Sequence, residues 1–173
     1  MHIRKVKQSD FDQILEISDQ GYEEARLNPD FGDYVKLKKP DKRRKAEWTA
    51  YMLKHIGARD MLFYVAEDKG VIIGYCFVMK KDIPDSEMSH VGVLAIRVAK
   101  DWRGRGVGTK LLGYAIKDSR KKFEIIEIFP FATNERSKRL YRRFGFKTWG
   151  LAPGYIKRGE RYIDLEYMYL RIK

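Results

Sequence analysis

The stretch that constrains this chain most is residues 101–112, Asp-Trp-Arg-Gly-Arg-Gly-Val-Gly-Thr-Lys-Leu-Leu. A β-rich run, "HVGVLAIRVAK", comes directly before it. An apolar repeat follows, in which Val107, Leu111, Leu112, Ala115 and Ile116 fall on one helical face. The predicted order is strand, glycine turn, helix. A helix start carries unpaired N–H groups and a partial positive charge of roughly half a unit. Glycines let the backbone turn tightly and let a ligand approach where a Cβ would stand. Such a turn cradles a phosphate or a diphosphate, and Arg103 and Arg105 can add charge-assisted contacts.

Two well-known phosphate loops do not fit. A Walker loop needs Gly-x4-Gly-Lys-Ser/Thr, but Thr109-Lys110 has the wrong order and Arg103 stands at the first glycine position. A dinucleotide fingerprint needs Gly-x-Gly-x-x-Gly near the first strand. Gly104-x-Gly106 begins one, but position 109 is threonine and the loop lies past the middle of the chain.

The 173 residues, 44% of them hydrophobic, suit one domain over 1–173. Ser9 offers an N-cap, with Asp12 three places on, to a first helix. "RLNPDFGDYVKLKKPDK" reads as a loop, and a second helix is expected from about Asp41 to His55 with Gly57 past its end. "MLFYVAEDKGVIIGYCFVMKK" is a hairpin turning at Asp68-Lys69-Gly70, and "IPDSE" is a loop. After the glycine turn come a strand, "FEIIEIF", a short helix, "NERSKRLYRRFG", and two strands around Arg158-Gly159. The order of elements predicts an α+β sheet rather than a doubly wound parallel one. Cys76, the single cysteine, cannot form an internal disulfide, so a cytoplasmic setting is expected, with Cys76 in the core. No apolar run approaches the ~20 residues of a membrane span, and "MHIRKVKQSDF" lacks the apolar centre of a signal peptide.

Arg103-x-x-Gly106-x-Gly108 after a strand resembles the acetyl-CoA loop of the GNAT family of N-acetyltransferases. The segment 134–146 is similar to that family's next motif, with Asn134, Ser137 in place of the commoner alanine, Leu140-Tyr141 and Gly145-Phe146. The opening "IRKVKQSDFDQI" and the ending "YIDLEYMYL" also look like the family's first strand with its helix and its last strand. The resemblance spans nearly the whole chain and is weakest from Leu27 to Arg59. It implies a mixed, mostly antiparallel sheet whose fourth and fifth strands splay apart, with helices on both faces. It also implies acetyl-CoA as acyl donor and direct attack of a primary amine on the thioester. Backbone N–H groups around Ile96 and Val98 would hold the pantetheine arm and the acetyl carbonyl, an oxyanion-type role. Arg103, Gly104, Arg105, Gly106, Val107, Gly108 and Thr109 would hold the pyrophosphate. Asn134, with Ser137 beside it, would meet the pantetheine arm, and Tyr141 would protonate the departing thiolate. Pro130 either marks the divergence of the two strands or simply ends one.

Acetylation needs a neutral amine. Deprotonating a lysine-like amine at pH 7 costs roughly 4–5 kcal/mol, an α-amine only about 1 kcal/mol. Family members often carry a strand glutamate for this step, but the matching positions here are Gly92 and Phe129. Glu87, His90 and Glu127 lie nearby, and Glu87 and Glu127 are the candidate catalytic acids beside Tyr141. No metal ligand set is expected. The net charge of +12, from 36 basic and 24 acidic residues, disfavours polyamine acceptors and suits a protein, peptide or anionic small-molecule amine. Two other readings stay open. One is a basic nucleic-acid-binding domain built on "LKKPDKRRK" and "RSKRLYRR". The other is an acyl-CoA binder without turnover. A homodimer is compatible with the family resemblance.

Overall fold

The structure is a computed structural model and describes residues 1–28, 40–81 and 87–173. Most of the predicted loop at 26–42, the start of the basic run at 37–45 and most of "IPDSE" lie outside the described residues. In chain order the elements are β1 (His2–Lys5), α1 (Phe11–Leu27), α2 (Lys42–Gly57), β2 (Met61–Asp68), β3 (Val71–Lys80), β4 (Val91–Val98), α3 (Val107–Ser119), β5 (Ile125–Ile128), α4 (Glu135–Arg143), β6 (Lys147–Arg158) and β7 (Arg161–Arg171).

Among the described residues these strands form one sheet in the order β1-β2-β3-β4-β5-β7-β6. Every neighbouring pair is antiparallel except β4 and β5, which run parallel. This is the mixed, mostly antiparallel α+β sheet expected. Side chains alternate between its faces. Phe63 and Val65 of β2 pack with Phe11, Ile14 and Ile17 of α1 and Met52 of α2. Tyr64 and Ala66 pack with Leu111, Leu112 and Ala115 of α3 on the other side. Helices therefore cover both faces, and Cys76 is buried in the second core as expected.

Local chemistry explains most of the turns. Lys69 and Gly70 both take positive φ, +49° and +83°, as a two-residue hairpin turn of type I′ requires. Two helix ends differ from expectation. Ser9 sits inside a short 3-10 turn, Gln8–Asp10, and does not cap α1. Asp10 organises this entry instead, because its carboxylate accepts the Lys7 N–H at 2.7 Å and two bonds from Arg4 at 2.7 and 2.8 Å. Asp41 caps α2 as expected, accepting from the Arg44 N–H. That helix runs on through Gly57, and the left-handed residue after it is Arg59.

The feature that positions the site is the brevity of one ladder. β4 and β5 share three rungs, Val91 with Ile125, Gly92 with Ile126 and Val93 with Glu127. β4 continues to Val98 against β3, while β5 ends at Ile128 with its other edge on β7. The strands part after Val93, as the family resemblance implied.

Leu111 is fully buried between α3 and the sheet. Leu111→Ala is expected to lower unfolding free energy by about 2–5 kcal/mol, read as a fall in denaturant midpoint at unchanged slope. The Arg4 contact holds Asp10 below the ordinary carboxylate range, against the opposing effect of burial. The unfolded chain then takes up the Asp10 proton more readily than the folded chain. This contribution is complete above about pH 4 and is lost as pH falls through the folded pKa. Arg4→Met is expected to be less stable at neutral pH and to lose less stability below about pH 4 in acid titrations followed by circular dichroism.

Candidate active site

The parting of β4 and β5 opens a cleft of about 660 Å³. Ile96, Arg97 and Val98 of β4 line it, with Trp102, Arg103, Gly104, Gly106, Gly108 and Thr109 of the glycine turn. Thr133 to Ser137, Leu140, Tyr141 and Arg143 line it from the start and body of α4. Gly21, Glu24 and Asn28 join from α1 and its end. The predicted Ile96, Val98, Arg103, Gly104, Gly106, Gly108, Thr109, Asn134, Ser137 and Tyr141 are thus brought together. Arg105, Val107, Glu87 and Glu127 are not part of this lining.

The glycine turn is set by backbone. Gly104 and Gly106 have φ of +83° and +80°, a region that L side chains seldom adopt. Gly106 is the N-cap of α3, and no side chain caps that end. The first-turn amides of Val107, Gly108 and Thr109 are therefore available to an anion. The Val107 side chain is buried in the core, so only its backbone can serve the turn.

The arginines are used differently from the expectation. The Arg103 guanidinium forks onto the Glu24 carboxylate at 2.6 and 2.7 Å, and its Nε donates to the Val98 carbonyl at 3.0 Å. It ties the glycine turn to α1 and β4. Arg105 lies over the Trp102 ring, 5.3 Å from its centroid. Arg136 and Arg143 bring cationic side chains to the cleft, where sequence reasoning had placed them only in the basic run of the nucleic-acid reading. A Cβ on Gly104 would stand 3.3 Å from Arg136 Nη2, so Arg136 reaches over the glycine turn. Its place two residues after Asn134, in the first turn of α4, was the available signal.

Arg97 is a further unanticipated wall residue. Its guanidinium lies under α1 and donates to the Ser18 carbonyl at 2.9 Å. A Cβ on Gly21 would fall onto that guanidinium, which explains a glycine in the middle of a helix. Burial pulls Arg97 down to about 10, so it is still charged at neutral pH.

On α4, Asn134 Oδ1 accepts from the Ser137 N–H at 3.1 Å and caps the helix, leaving the side-chain NH2 to donate. Burial pushes the Tyr141 phenol above its ordinary value. Cys76 adds to that, and a hydrogen bond with the Ser137 side chain opposes it. Tyr141 therefore holds its proton throughout the neutral range. Lys138, itself buried, fixes the helix: Nζ meets the Ala132 carbonyl and Glu135 at 2.5 Å and Glu166 of β7 at 2.8 Å. Glu166 also accepts from Thr148 and from Arg142.

The candidate acids lie elsewhere. Glu87 is exposed ahead of β4, and its carbonyl lies 3.1 Å from His90 Nδ1. Glu127 occupies the last rung of the β4–β5 ladder and pairs with Lys81 at 2.8 Å. Partners across a rung share a face, so Glu127 lies with Val93 and Met79 on the side covered by α1 and α2. Gly92 has no room for an acid, because a Cβ there would stand 2.6 Å from Val78 and 3.0 Å from Phe123. Among the described residues no group of three or more His, Cys, Asp or Glu is placed to hold a metal. None of their helices is long and apolar enough to cross a membrane.

Fold and cleft define a class, α+β proteins whose sheet opens beside a glycine-rich, uncapped helix start. The Acetyltransferase (GNAT) family matches residues 19–146, and the chain belongs to it. The uncharacterized N-acetyltransferase MJ1207 of Methanocaldococcus jannaschii is 28% identical over 162 residues, 92% of this chain and 66% of that protein. The chain thus spans just under two thirds of that relative. A ribosomal-protein-alanine N-acetyltransferase from Brucella melitensis superposes with a TM-score of 0.82 at 25% identity, covering 99% of each chain. A GNAT superfamily phosphinothricin acetyltransferase from Sinorhizobium meliloti, solved in complex with acetyl-CoA, superposes at 0.83 with 23% identity, covering 98% of this chain and 87% of that one.

Gly106→Ala is expected to cost about 1–2 kcal/mol through its left-handed backbone, seen in thermal unfolding. The same variant should weaken anion binding at the helix start, seen in titration with pyrophosphate.

Proposed function

We propose that the chain, acting as one domain over residues 1–173, transfers the acetyl group of acetyl-CoA to a primary amine on a protein, peptide or small molecule. The observation that carries this reading is Tyr141, a buried phenol that keeps its proton and lines the cleft beside Asn134, Ser137 and the glycine turn. Family membership and relatives named as N-acetyltransferases support it.

The residues fit the donor. The uncapped amides at 107–109, with Gly104 and Gly106 keeping Cβ atoms out of the way, suit a diphosphate. Arg136 adds charge above that turn. Arg103 acts by holding the turn in shape through Glu24 and Val98. The β4 edge at Ile96 and Val98 and the Asn134 side chain offer hydrogen bonds to an amide-bearing arm. Acetyl-CoA supplies the activated thioester. The amine nitrogen bonds to the acetyl carbon as the carbon–sulfur bond breaks. The Tyr141 O–H gives its proton to the departing thiolate. The amine loses its proton through water to Glu127, which lies at the last rung before the strands part. Glu87 and His90, ahead of β4, take no part.

Calorimetric titration with acetyl-CoA should give saturable one-site binding in the micromolar range. Tyr141→Phe should keep that affinity within about threefold and lower kcat by about a hundredfold, read by thiol release with an amine panel. A Tyr141→Phe variant as fast as the parent would remove the phenol from the mechanism. Binding without turnover on any amine would leave a sensor of acyl-CoA. Glu127→Gln should lower kcat/KM by about tenfold or more, and the loss should shrink as pH rises toward the pKa of the amine.

A further inference from the structure

Beyond Val93 the sheet has two differently clothed halves on the face that carries α1 and α2. Those helices pack on β2, β3 and β4. On the β5–β7–β6 half the described residues present aromatic rings. The Tyr167 ring touches Phe129, Trp149 and Tyr155, with centroids 4.9, 5.4 and 6.4 Å away. Trp149 is 58% exposed and Tyr155 62%. Large exposed rings gathered in one place are the informative kind of exposure, since single exposed apolar residues are ordinary and a contiguous patch is not.

This wall begins beside the gap between β4 and β5, and its rings lie outside the cleft lining itself. The last β4–β5 rung joins Val93 to Glu127, and Phe129 follows two residues later, just past the end of β5 at Ile128, where the strands have parted. The charged groups at its edge are Glu127 and Lys81, which neutralise each other at 2.8 Å, and Lys147, which shares a rung and so a face with Tyr169 at the start of β6. Lys157 lies over Tyr162, further along the hairpin. A second positive or negative charge on a ligand would meet no opposite charge on these rings.

We propose that the rings of Phe129, Trp149, Tyr155 and Tyr167 form the subsite for the substituent next to the acceptor's amine, and that this substituent is apolar and uncharged. The inference rests on the reading of the preceding subsection. An amine reaching the thioester through the gap between β4 and β5, from the face opposite α3 and α4, lays its neighbouring group on this wall. A phenyl or long aliphatic group is desolvated there, and an ammonium or carboxylate is not compensated.

The test uses the full chain and three amides as acceptors. Phenylalaninamide should be acetylated with a kcat/KM about tenfold or more above that of glycinamide, and aspartamide should fall below glycinamide. Trp149→Ala and Tyr155→Ala, both at exposed positions, should cut the ratio of phenylalaninamide to glycinamide by about tenfold. A ratio near one in the parent, or one untouched by both variants, overturns the subsite. A parent that sediments as a dimer and a Trp149→Ala variant that sediments as a monomer, with the ratio unchanged, would assign the wall to a second copy and also overturn it. A separate readout needs no turnover. N-acetylphenylalaninamide should change the tryptophan fluorescence of the CoA-saturated parent and leave that of Trp149→Phe unaltered. That signal without any acetyl transfer would overturn the reaction reading and keep the subsite. Transfer with no signal and no ratio would do the reverse.

Discussion

The rest of the site depends on a ladder that stops after three rungs. A strand edge inside a protein cannot be left without hydrogen-bond partners at no cost. Past Val93, one edge of β4 has lost its neighbour, because β5 ends at Ile128 with its far side taken by β7. Arg103 Nε meets the carbonyl at the end of that edge, on Val98. The remaining stretch lines a cleft, where an amide-bearing ligand can supply what the missing strand does not. The fold therefore makes a polar groove by omission, and the glycine turn and α4 sit at its ends because each follows a strand that borders the gap.

Charge is arranged so that backbone amides are left open at the glycine turn while arginine does much of the bracing. Two positive groups, Arg97 and Arg103, are held under or against α1, and Glu24 offsets one of them. A fixed guanidinium costs a ligand no reordering, and a braced glycine turn presents its amides already aligned. On the other wall, Lys138 ties the residues before α4 to β7, which sets where Asn134 and Tyr141 stand. The basic run at 136–143 is consequently divided between ion pairs and the cleft: Arg142 faces Glu135 and Glu166, while Arg136 and Arg143 line the cavity. That division leaves less of the run for a nucleic acid than its composition suggests.

The strands, the hairpin turn and the glycine turn were legible because their causes are local. Alternation reveals a half-buried strand, and left-handed backbone selects glycine at 70, 104 and 106. The motif at 134–146 was legible through the family resemblance, and in the fold Asn134 caps the helix that carries Tyr141. The unread features depend on distant partners. Glu24 and Arg103 lie 79 positions apart, and no local period marks their fork. Gly21 looks like a weak point in α1 until Arg97 is seen beneath it. Ser9 has the right chemistry for a cap, but Asp10 had the better partners in Arg4 and the Lys7 amide.

Gly92 and Phe129, the two positions without an acid, now have separate explanations. Gly92 is pressed against Val78 and Phe123 in the core beneath α3, where even a methyl group would collide. Phe129 faces the other way and joins the aromatic wall through Tyr167. A carboxylate at 129 would have to be desolvated against those rings. Glu127, two residues back on the same face, keeps Lys81 as a partner and remains at the edge of the gap. Acid and aromatic wall are thus neighbours at the end of β5 with different needs. The charged group sits where a counter-ion can reach it, and the apolar group sits where the opened sheet leaves a surface to cover. On the proposed reading, the same parting of strands that would admit a donor on one face would fix, on the other, the order in which an acceptor meets charge and hydrocarbon.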